Sequence, residues 1–215
     1  MKGLMIKDFC IIKSRRRQFI LIVALAAMYI AMGMGGFAIS FLSLLGGAFG
    51  LSTLSYDAKS HDGEFIFTLP CTRKQYVTEK YLFIFLMMLC GLVIGIVAGL
   101  ISNLMNAGSM PLDAVPLYAL GGIAGSVIML SLMIPVVIRF GTEQSQVAVF
   151  SVIASCVIVA VILSHLIPAK IINDLMLYAT LLPLPVLVMA GSVVLLIVVM
   201  ISYTISISMM MRKEF

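Results

Sequence analysis

The sequence predicts an all-α polytopic membrane protein with six transmembrane helices and both termini in the cytoplasm. Of the 215 residues, 62% are hydrophobic and only 11% are charged, whereas about 25% of residues are charged in a typical soluble domain. Long segments contain no Lys, Arg, Asp or Glu, and the basic residues are confined to the short segments between them. This composition excludes a disordered chain, a disulfide scaffold and a secreted globular enzyme.

The first two helices are predicted from a single charge-free run over residues 18–56. One crossing needs about 20 residues, so the run is too long for one helix and is long enough for two. The glycine-rich stretch 33–36 in its middle favours a tight turn. We therefore expect helices near 18–33 and 36–55.

Later charge-free runs predict four further crossings. Three of these runs cover residues 81–112, 114–138 and 144–169. The last run, 175–211, contains Pro183 and Pro185, which favour a break because proline cannot donate a backbone hydrogen bond. We therefore expect a short interfacial or re-entrant piece over 175–182 and a final crossing over 186–209.

The distribution of basic residues supports six crossings. The net charge is +5, and with six helices thirteen of the fourteen Lys and Arg residues lie on one side. Only Lys170 lies on the other side. Because cytoplasmic loops of membrane proteins are enriched in Lys and Arg, both termini are expected in the cytoplasm. A single crossing over 18–56 would place the two most basic segments on opposite sides.

Motifs for chemistry are absent from the sequence. It contains no HExxH, GxSxG or GxxxxGK[ST] motif, and no carboxylate pair lies within a predicted span. The cysteines form no metal-binding spacing and are expected to pack as small hydrophobic residues; they are Cys10, Cys71, Cys90 and Cys156. We therefore predict no catalytic residue, no metal site and no cofactor held by this chain, so any powered work would draw its energy from another subunit.

The segment 56–81 is the most unusual part of the sequence outside the spans. Asp62 can N-cap a short helix that ends before Pro70. That helix would carry aromatic and aliphatic side chains, namely Phe65, Ile66, Phe67 and Leu69. Thr72 and Gln75 then form a T-x-x-Q capping box that opens the third helix. Such a segment either transmits force from a soluble partner or lies as an amphipathic turn among the lipid headgroups.

Small residues recur at a spacing of four in the third predicted helix. They are Gly91, Gly95 and Gly99. This spacing lets helix backbones approach closely within lipid. It predicts a helix-packing face, which serves either ordinary packing within one bundle or a dimer interface or sliding surface.

Several segments resemble a known family. These segments are Met1–Phe9, Ser55–Asp57, Thr68–Val77 and Glu79–Tyr81. Together they resemble the small six-span permeases of type 2 ATP-binding-cassette exporters. Among these, the chain is similar to the Firmicute permeases that pair with a separate ATPase to export phenol-soluble modulins or other amphipathic peptides. The resemblance covers the whole chain in topology and residues 1–17 and 55–81 in specific motifs.

The resemblance implies one transmembrane domain over residues 1–215 with five segments. They are an N-terminal interfacial elbow (1–17), helices one and two (18–55), a cytoplasmic coupling loop with its coupling helix (56–72), helices three to six (73–209) and a cytoplasmic tail (210–215). It also implies which residues of the loop contact the ATPase. The apolar contacts would be Phe65, Phe67 and Leu69, with Asp62, Glu64 and Arg73 at the rim.

The partners implied by the resemblance are a separate ATP-binding-cassette ATPase, which would hold ATP and Mg, and a second copy of the chain or a related permease. Membrane lipid and an amphipathic peptide or other hydrophobic cargo complete the set, with no nucleic acid. The expected location is the bacterial cytoplasmic membrane. Three alternatives stay open at this point: a substrate-capture subunit of a vitamin uptake system, an intramembrane enzyme acting on lipid, and a non-transporting membrane sensor.

Overall fold

A computed structural model describes residues 2–14, 16–59, 72–105, 111–139 and 184–211, and all regular structure in these ranges is helical. The helices are α1 (Lys2–Ser14), α2 (Arg16–Ala31), α3 (Gly35–Lys59), α4 (Arg73–Met105), α5 (Val115–Arg139, after a 3-10 turn at Leu112–Ala114) and α6 (Leu184–Met211).

Four of these helices are long and apolar enough to cross a membrane. The candidate spans are Gly35–Leu54, Arg73–Met105, Val115–Arg139 and Val188–Met211, and a shorter apolar helix covers Ile20–Ala31. The chain is therefore a polytopic membrane protein, as the sequence predicts. The predicted fifth helix (144–169) and the predicted short piece 175–182 lie outside the described residues.

The turn between α2 and α3 forms where the glycines predict it. Gly33 has a φ of 70°, a left-handed conformation that glycine adopts without the steric cost paid by other residues. The Gly33 amide donates to the Ile30 carbonyl at 3.2 Å, and the Met34 amide donates to the Tyr29 carbonyl at 3.2 Å. The division of the long apolar run into two helices is confirmed. α3 continues to Lys59, into the range 56–72 predicted as the coupling loop.

The predicted capping box opens α4. The Gln75 amide donates to Thr72 Oγ1 at 3.3 Å, and the Thr72 amide donates to Gln75 Oε1 at 3.1 Å. The helix then runs for 33 residues, or roughly 50 Å at 1.5 Å per residue, which exceeds the ~30 Å hydrocarbon core. α4 therefore extends beyond the hydrocarbon core. The charged residues of its first turns indicate that the part outside the core is at the Arg73 end.

α3 and α4 pack closely through glycines. A β-carbon added to Gly95 would lie 2.9 Å from Cα of Ile39, and one added to Gly50 would lie 2.9 Å from Cα of Ile84. Real β-carbons do not approach backbone so closely, so the two helices can hold this distance only with glycine at these positions. Among the described helices, these two share the most extensive contact.

Hydroxyl groups join α4 to α6. The Tyr81 hydroxyl lies 2.6 Å from Ser202 Oγ and 2.8 Å from Ser206 Oγ, and Ser202 Oγ donates to the Ser131 carbonyl of α5 at 2.5 Å. Hydrogen bonds between polar side chains are a common means of helix association in lipid. Most apolar side chains of α6, such as Met189, remain exposed, so the described helices cover only part of its surface.

Candidate functional site

Four charged side chains meet where α1, the last turns of α3 and the first turns of α4 come together. They form the charge cluster: Lys7, Asp8, Asp57 and Lys80. Two come from α1 and one each from α3 and α4. Apolar contacts hold α1 in place, because the Phe9 ring packs edge-on against Phe83 of α4 with centroids 5.3 Å apart.

Lys80 lies at the centre of the charge cluster. Its Nζ is 2.5 Å from Asp8 Oδ2 and 2.8 Å from Asp57 Oδ2, so one ammonium pairs with two carboxylates. Lys7 Nζ adds a second cation 2.5 Å from Asp57 Oδ1. Lys80 and Asp8 are 0% exposed and Asp57 is 4% exposed. Buried charges of this kind are tolerated only when they are paired and hydrogen-bonded.

One hydroxyl group hydrogen-bonds to each aspartate, but in the described part of the chain only Asp57 has partners for both of its carboxylate oxygens. The Tyr76 hydroxyl donates to Asp57 Oδ2 at 3.0 Å, and the Thr53 hydroxyl lies 3.3 Å from Asp8 Oδ2. Both oxygens of Asp57 are therefore occupied. Asp8 Oδ1 has no hydrogen-bond partner among the described residues.

The two aspartates consequently differ in acidity. Burial raises the pKa of Asp8 above its ordinary value, and its contact with Lys80 only partly offsets that effect. Burial also acts to raise the pKa of Asp57, but the charge of Lys80 and hydrogen bonds from Lys7 and Lys80 outweigh it, so the pKa of Asp57 falls below its ordinary value. Asp57 is thus the firmly ionised member of the pair.

Glu79 is a buried carboxylate that lies next to the charge cluster but forms none of its ion pairs. It precedes Lys80 in α4, is 1% exposed, and neither of its carboxylate oxygens has a hydrogen-bond partner among the described residues. A buried carboxyl group without a partner costs free energy. Glu79 therefore marks the point beside the charge cluster where an added donor would stabilise the protein.

The arrangement is suited to holding helices together rather than to catalysis. It ties α1 to α3 and α4, and it joins the two helix ends that flank residues 60–71. In the described part of the chain, no group of three or more His, Cys, Asp or Glu side chains is placed to hold a metal ion. The three helix segments are therefore joined to one another by ion pairs.

Comparison with known proteins identifies the family. The family model described as ABC-2 family transporter protein matches residues 3–211. The chain belongs to the ABC-2 transporter family. No curated protein and no solved structure shows significant similarity to it. As an ABC-2 family protein, the chain is a permease subunit of an ATP-binding-cassette exporter, and its ATPase is a partner subunit. This membership favours the permease over the three alternatives left open by the sequence.

Several residues predicted to serve this ABC-2 permease lie outside the described residues. They are Asp62, Glu64, Phe65, Phe67 and Leu69. Arg73 is described, and its Nη1 donates to the Met210 and Met211 carbonyls, both at 2.9 Å. The guanidinium therefore binds the C-terminal end of α6, where cations interact favourably with the helix dipole. A role for Arg73 at the ATPase stays a prediction.

The glycines predicted as a packing face lie against α3 of the same permease chain. β-carbons added to them would contact backbone or side-chain atoms of α3, and the three residues are Gly91, Gly95 and Gly99. These positions therefore serve close helix contact within one chain. Their predicted part in a dimer interface or in sliding between helices is not addressed by these contacts.

The sequence reasoning missed the charge cluster of this ABC-2 family protein. From the sequence alone, Lys7 and Lys80 count only among the basic residues that indicate orientation, and Asp8 and Asp57 have no predicted role. A signal was present, because all four residues lie in the stretches that carry the family resemblance, namely Met1–Phe9, Ser55–Asp57 and Glu79–Tyr81.

The two aspartates are expected to respond to pH with opposite signs. The native pKa of Asp57 lies below its ordinary value of 3.8, so its ionisation stabilises the fold above pH 3.8, and that contribution is lost as the pH falls through the native pKa. The native pKa of Asp8 is raised, so ionising Asp8 costs stability, and the cost grows as the pH rises from 3.8 through the native pKa.

Asparagine variants separate the two effects. Between about pH 4 and pH 7, Asp8→Asn should gain thermal stability relative to the wild type, because asparagine avoids the growing cost of ionisation. Asp57→Asn should stay destabilised throughout by about 1.5–3 kcal/mol, the typical value of a hydrogen bond to a charged group. Melting temperatures of the detergent-purified proteins across this range test the prediction. Parallel curves for the two variants would contradict it.

Proposed function

We propose that the chain works with a separate ATPase subunit to export amphipathic peptides or other hydrophobic compounds. It acts as one of two permeases in a dimer, with a second copy or a related permease as the other half. Both termini and residues 56–72 lie in the cytoplasm, and the complex lies in the bacterial cytoplasmic membrane. ATP and Mg are held by the partner, and their use drives the conformational change.

The charge cluster is the observation that carries the proposal. α3 ends at Lys59 and α4 begins at Arg73, so the predicted coupling segment connects these two helix ends. Asp57 and Lys80 link the same two ends through a 2.8 Å ion pair. A force applied to the coupling segment is therefore transmitted to α3 and α4 together, and the ion pair keeps the two helix ends from separating.

α1 takes part in the same movement. Lys7 binds Asp57 and Asp8 binds Lys80, so α1 is fixed to both helices by charged contacts. In the proposed mechanism α1 is the elbow helix at the cytoplasmic interface, and it moves with α3 and α4 when the ATPase closes. Because α4 is 33 residues long, the displacement continues through the membrane to the far side.

The apolar character of the helices supports the proposed cargo class. Large side chains such as Met189, Leu196 and Met200 are exposed on α6, and the chain has 17 methionines and no tryptophan. Methionine adapts its shape to varied apolar partners. Such surfaces suit cargo that is itself amphipathic or hydrophobic, which supports export of peptides or compounds of that type.

Capture of the ATPase by the tagged permease tests the proposal. The wild type and two variants, Phe65→Asp/Phe67→Asp and the matched apolar control Phe65→Leu/Phe67→Leu, are purified from native cells in mild detergent. We expect the wild type and the leucine variant to recover an ATP-hydrolysing subunit. The aspartate variant should recover little of it, because charged side chains cannot replace apolar contacts in a desolvated groove.

Two outcomes of this capture experiment would contradict different parts of the proposal. If correctly inserted wild-type protein recovers no ATPase, the exporter lacks its energy source and the mechanism is wrong. If all three proteins recover the ATPase equally, the partner is retained but Phe65 and Phe67 are not the docking residues.

A further inference from the structure

An apolar groove lies beside the charge cluster, between α1, the start of α2 and the middle of α4. Its volume is about 1000 Å³, at the upper end of the ~300–1,000 Å³ of small-molecule pockets. Apolar side chains line nearly all of it, among them Ile6, Phe9, Ile20 and Met87. A ligand of this groove therefore has a large apolar part.

Lys13 supplies the positive charge of the groove. Among the described side chains that line the groove it is the only charged one. It is exposed and lies in the last turn of α1. No carboxylate belongs to the lining that the structure describes. The groove thus combines an apolar wall with a cation at an exposed position, which complements an amphiphile with a negatively charged head.

The groove extends towards the middle of the bilayer. Its α4 lining, Met87 and Cys90, lies seven and ten residues beyond Lys80, and Cys90 is therefore roughly 15 Å from Lys80 along the helix axis at 1.5 Å per residue. That distance is about half of the ~30 Å hydrocarbon core. The lining therefore begins at Ile6 and Phe9, which flank Lys7 and Asp8 of the charge cluster, and ends on α4 near the middle of the bilayer.

We propose that this groove binds an anionic phospholipid of the surrounding bilayer. The phosphate group pairs with Lys13, and an acyl chain lies along Ile6, Phe9 and Met87. The lipid thereby fills the space between α1 and α4 and holds α1 against the bundle from the side opposite to its charged contacts. This site differs from the coupling segment and does not require the ATPase.

The absence of tryptophan from the chain allows a direct test with one introduced reporter. Ile6 is 64% exposed and lines the groove, so Ile6→Trp places a single fluorophore there. Leu104, 84% exposed and at the far end of α4, provides the control variant Leu104→Trp. Each protein is reconstituted in vesicles of phosphatidylglycerol and phosphatidylcholine, with either one or the other lipid brominated at equal mole fraction, and quenching is measured.

The Ile6→Trp protein should be quenched preferentially by brominated phosphatidylglycerol. The preference corresponds to about five-fold tighter binding than for phosphatidylcholine, the value expected for one basic side chain near an anionic lipid. Adding Lys13→Gln should abolish the preference, whereas Lys74→Gln, which removes an exposed lysine outside the groove, should leave it unchanged. The Leu104→Trp protein should be quenched equally by both lipids.

Three results would overturn the proposal. Equal quenching of Ile6→Trp by the two lipids would show only unselective boundary lipid. Absence of quenching at Ile6→Trp, with normal quenching at Leu104→Trp, would show that protein or cargo covers the groove. A preference that survives Lys13→Gln would remove the lysine from the site. Native mass spectrometry of the unmodified protein with both lipids tests the same preference for phosphatidylglycerol without a tryptophan substitution.

Discussion

Replacing Lys80 with methionine is expected to destabilise the protein by about 3–5 kcal/mol, the typical cost of removing one partner from a buried ion pair. Methionine preserves most of the volume of the lysine side chain but leaves the carboxylates of Asp8 and Asp57 buried without their shared cation. Asp8 is 0% exposed and Lys80 is its only ion-pair partner among the described residues, whereas Asp57 keeps its ion pair with Lys7.

Thermal unfolding in detergent, followed by the loss of monodisperse protein, measures this effect. Lys74→Met is the matched control, because Lys74 lies in the first turn of the same helix and is exposed. The double variant Asp8→Leu/Lys80→Met should be less destabilised than the sum of its single variants, as expected for residues that contact each other. Equal melting temperatures for Lys80→Met and Lys74→Met would show that the charge cluster does not hold the fold together.

Replacing Gly95 with alanine is expected to cost about 1–3 kcal/mol, the usual effect of overpacking a close contact. The new β-carbon would lie 2.9 Å from Cα and 3.0 Å from the carbonyl oxygen of Ile39. Both are backbone atoms of α3, which cannot rotate out of the way as a side chain can. The helices must separate, and the ion pair between Asp57 and Lys80 at their ends would be strained as a result.

Gly125→Ala is the control for this substitution. Gly125 lies in α5 and has open space within 4 Å of the added β-carbon among the described residues, so alanine should be neutral or stabilise the helix by up to about 1 kcal/mol. Melting temperatures and the fraction of protein inserted in membranes are measured for both variants. If Gly95→Ala is as stable as Gly125→Ala, the close approach of α3 and α4 is not required for the fold.

Features of the fold that arise from neighbouring residues could be predicted from the sequence. The turn at Gly33 depends on glycine accepting a left-handed backbone, and the start of α4 depends on Thr72 and Gln75, which are three residues apart. Long hydrophobic runs likewise indicate which segments cross the membrane core. Each signal is local, so it can be recognised without knowing which helices are neighbours.

The charge cluster could not be predicted in this way, because its members are distant in the sequence. Asp57 is 50 residues from Lys7, and Lys80 is 72 residues from Asp8. The same lysines fit the rule that basic residues accumulate on the cytoplasmic side, so nothing in the sequence indicates that Lys80 is buried. Only the packing of α1 across α3 and α4 reveals that these charges neutralise each other rather than face water.

The span of 72 residues between Asp8 and Lys80 also sets an order of events during biosynthesis. The ribosome makes the N-terminal helix first, but its ion-pair partner emerges roughly 4–14 s later at 5–20 residues per second. Until then Asp8 lacks its ion-pair partner and has to stay hydrated outside the lipid, while Lys7 can hold α1 only to Asp57 of α3. The N-terminal helix thus docks in two steps, and a nascent chain arrested before residue 80 would hold it by the first contact alone.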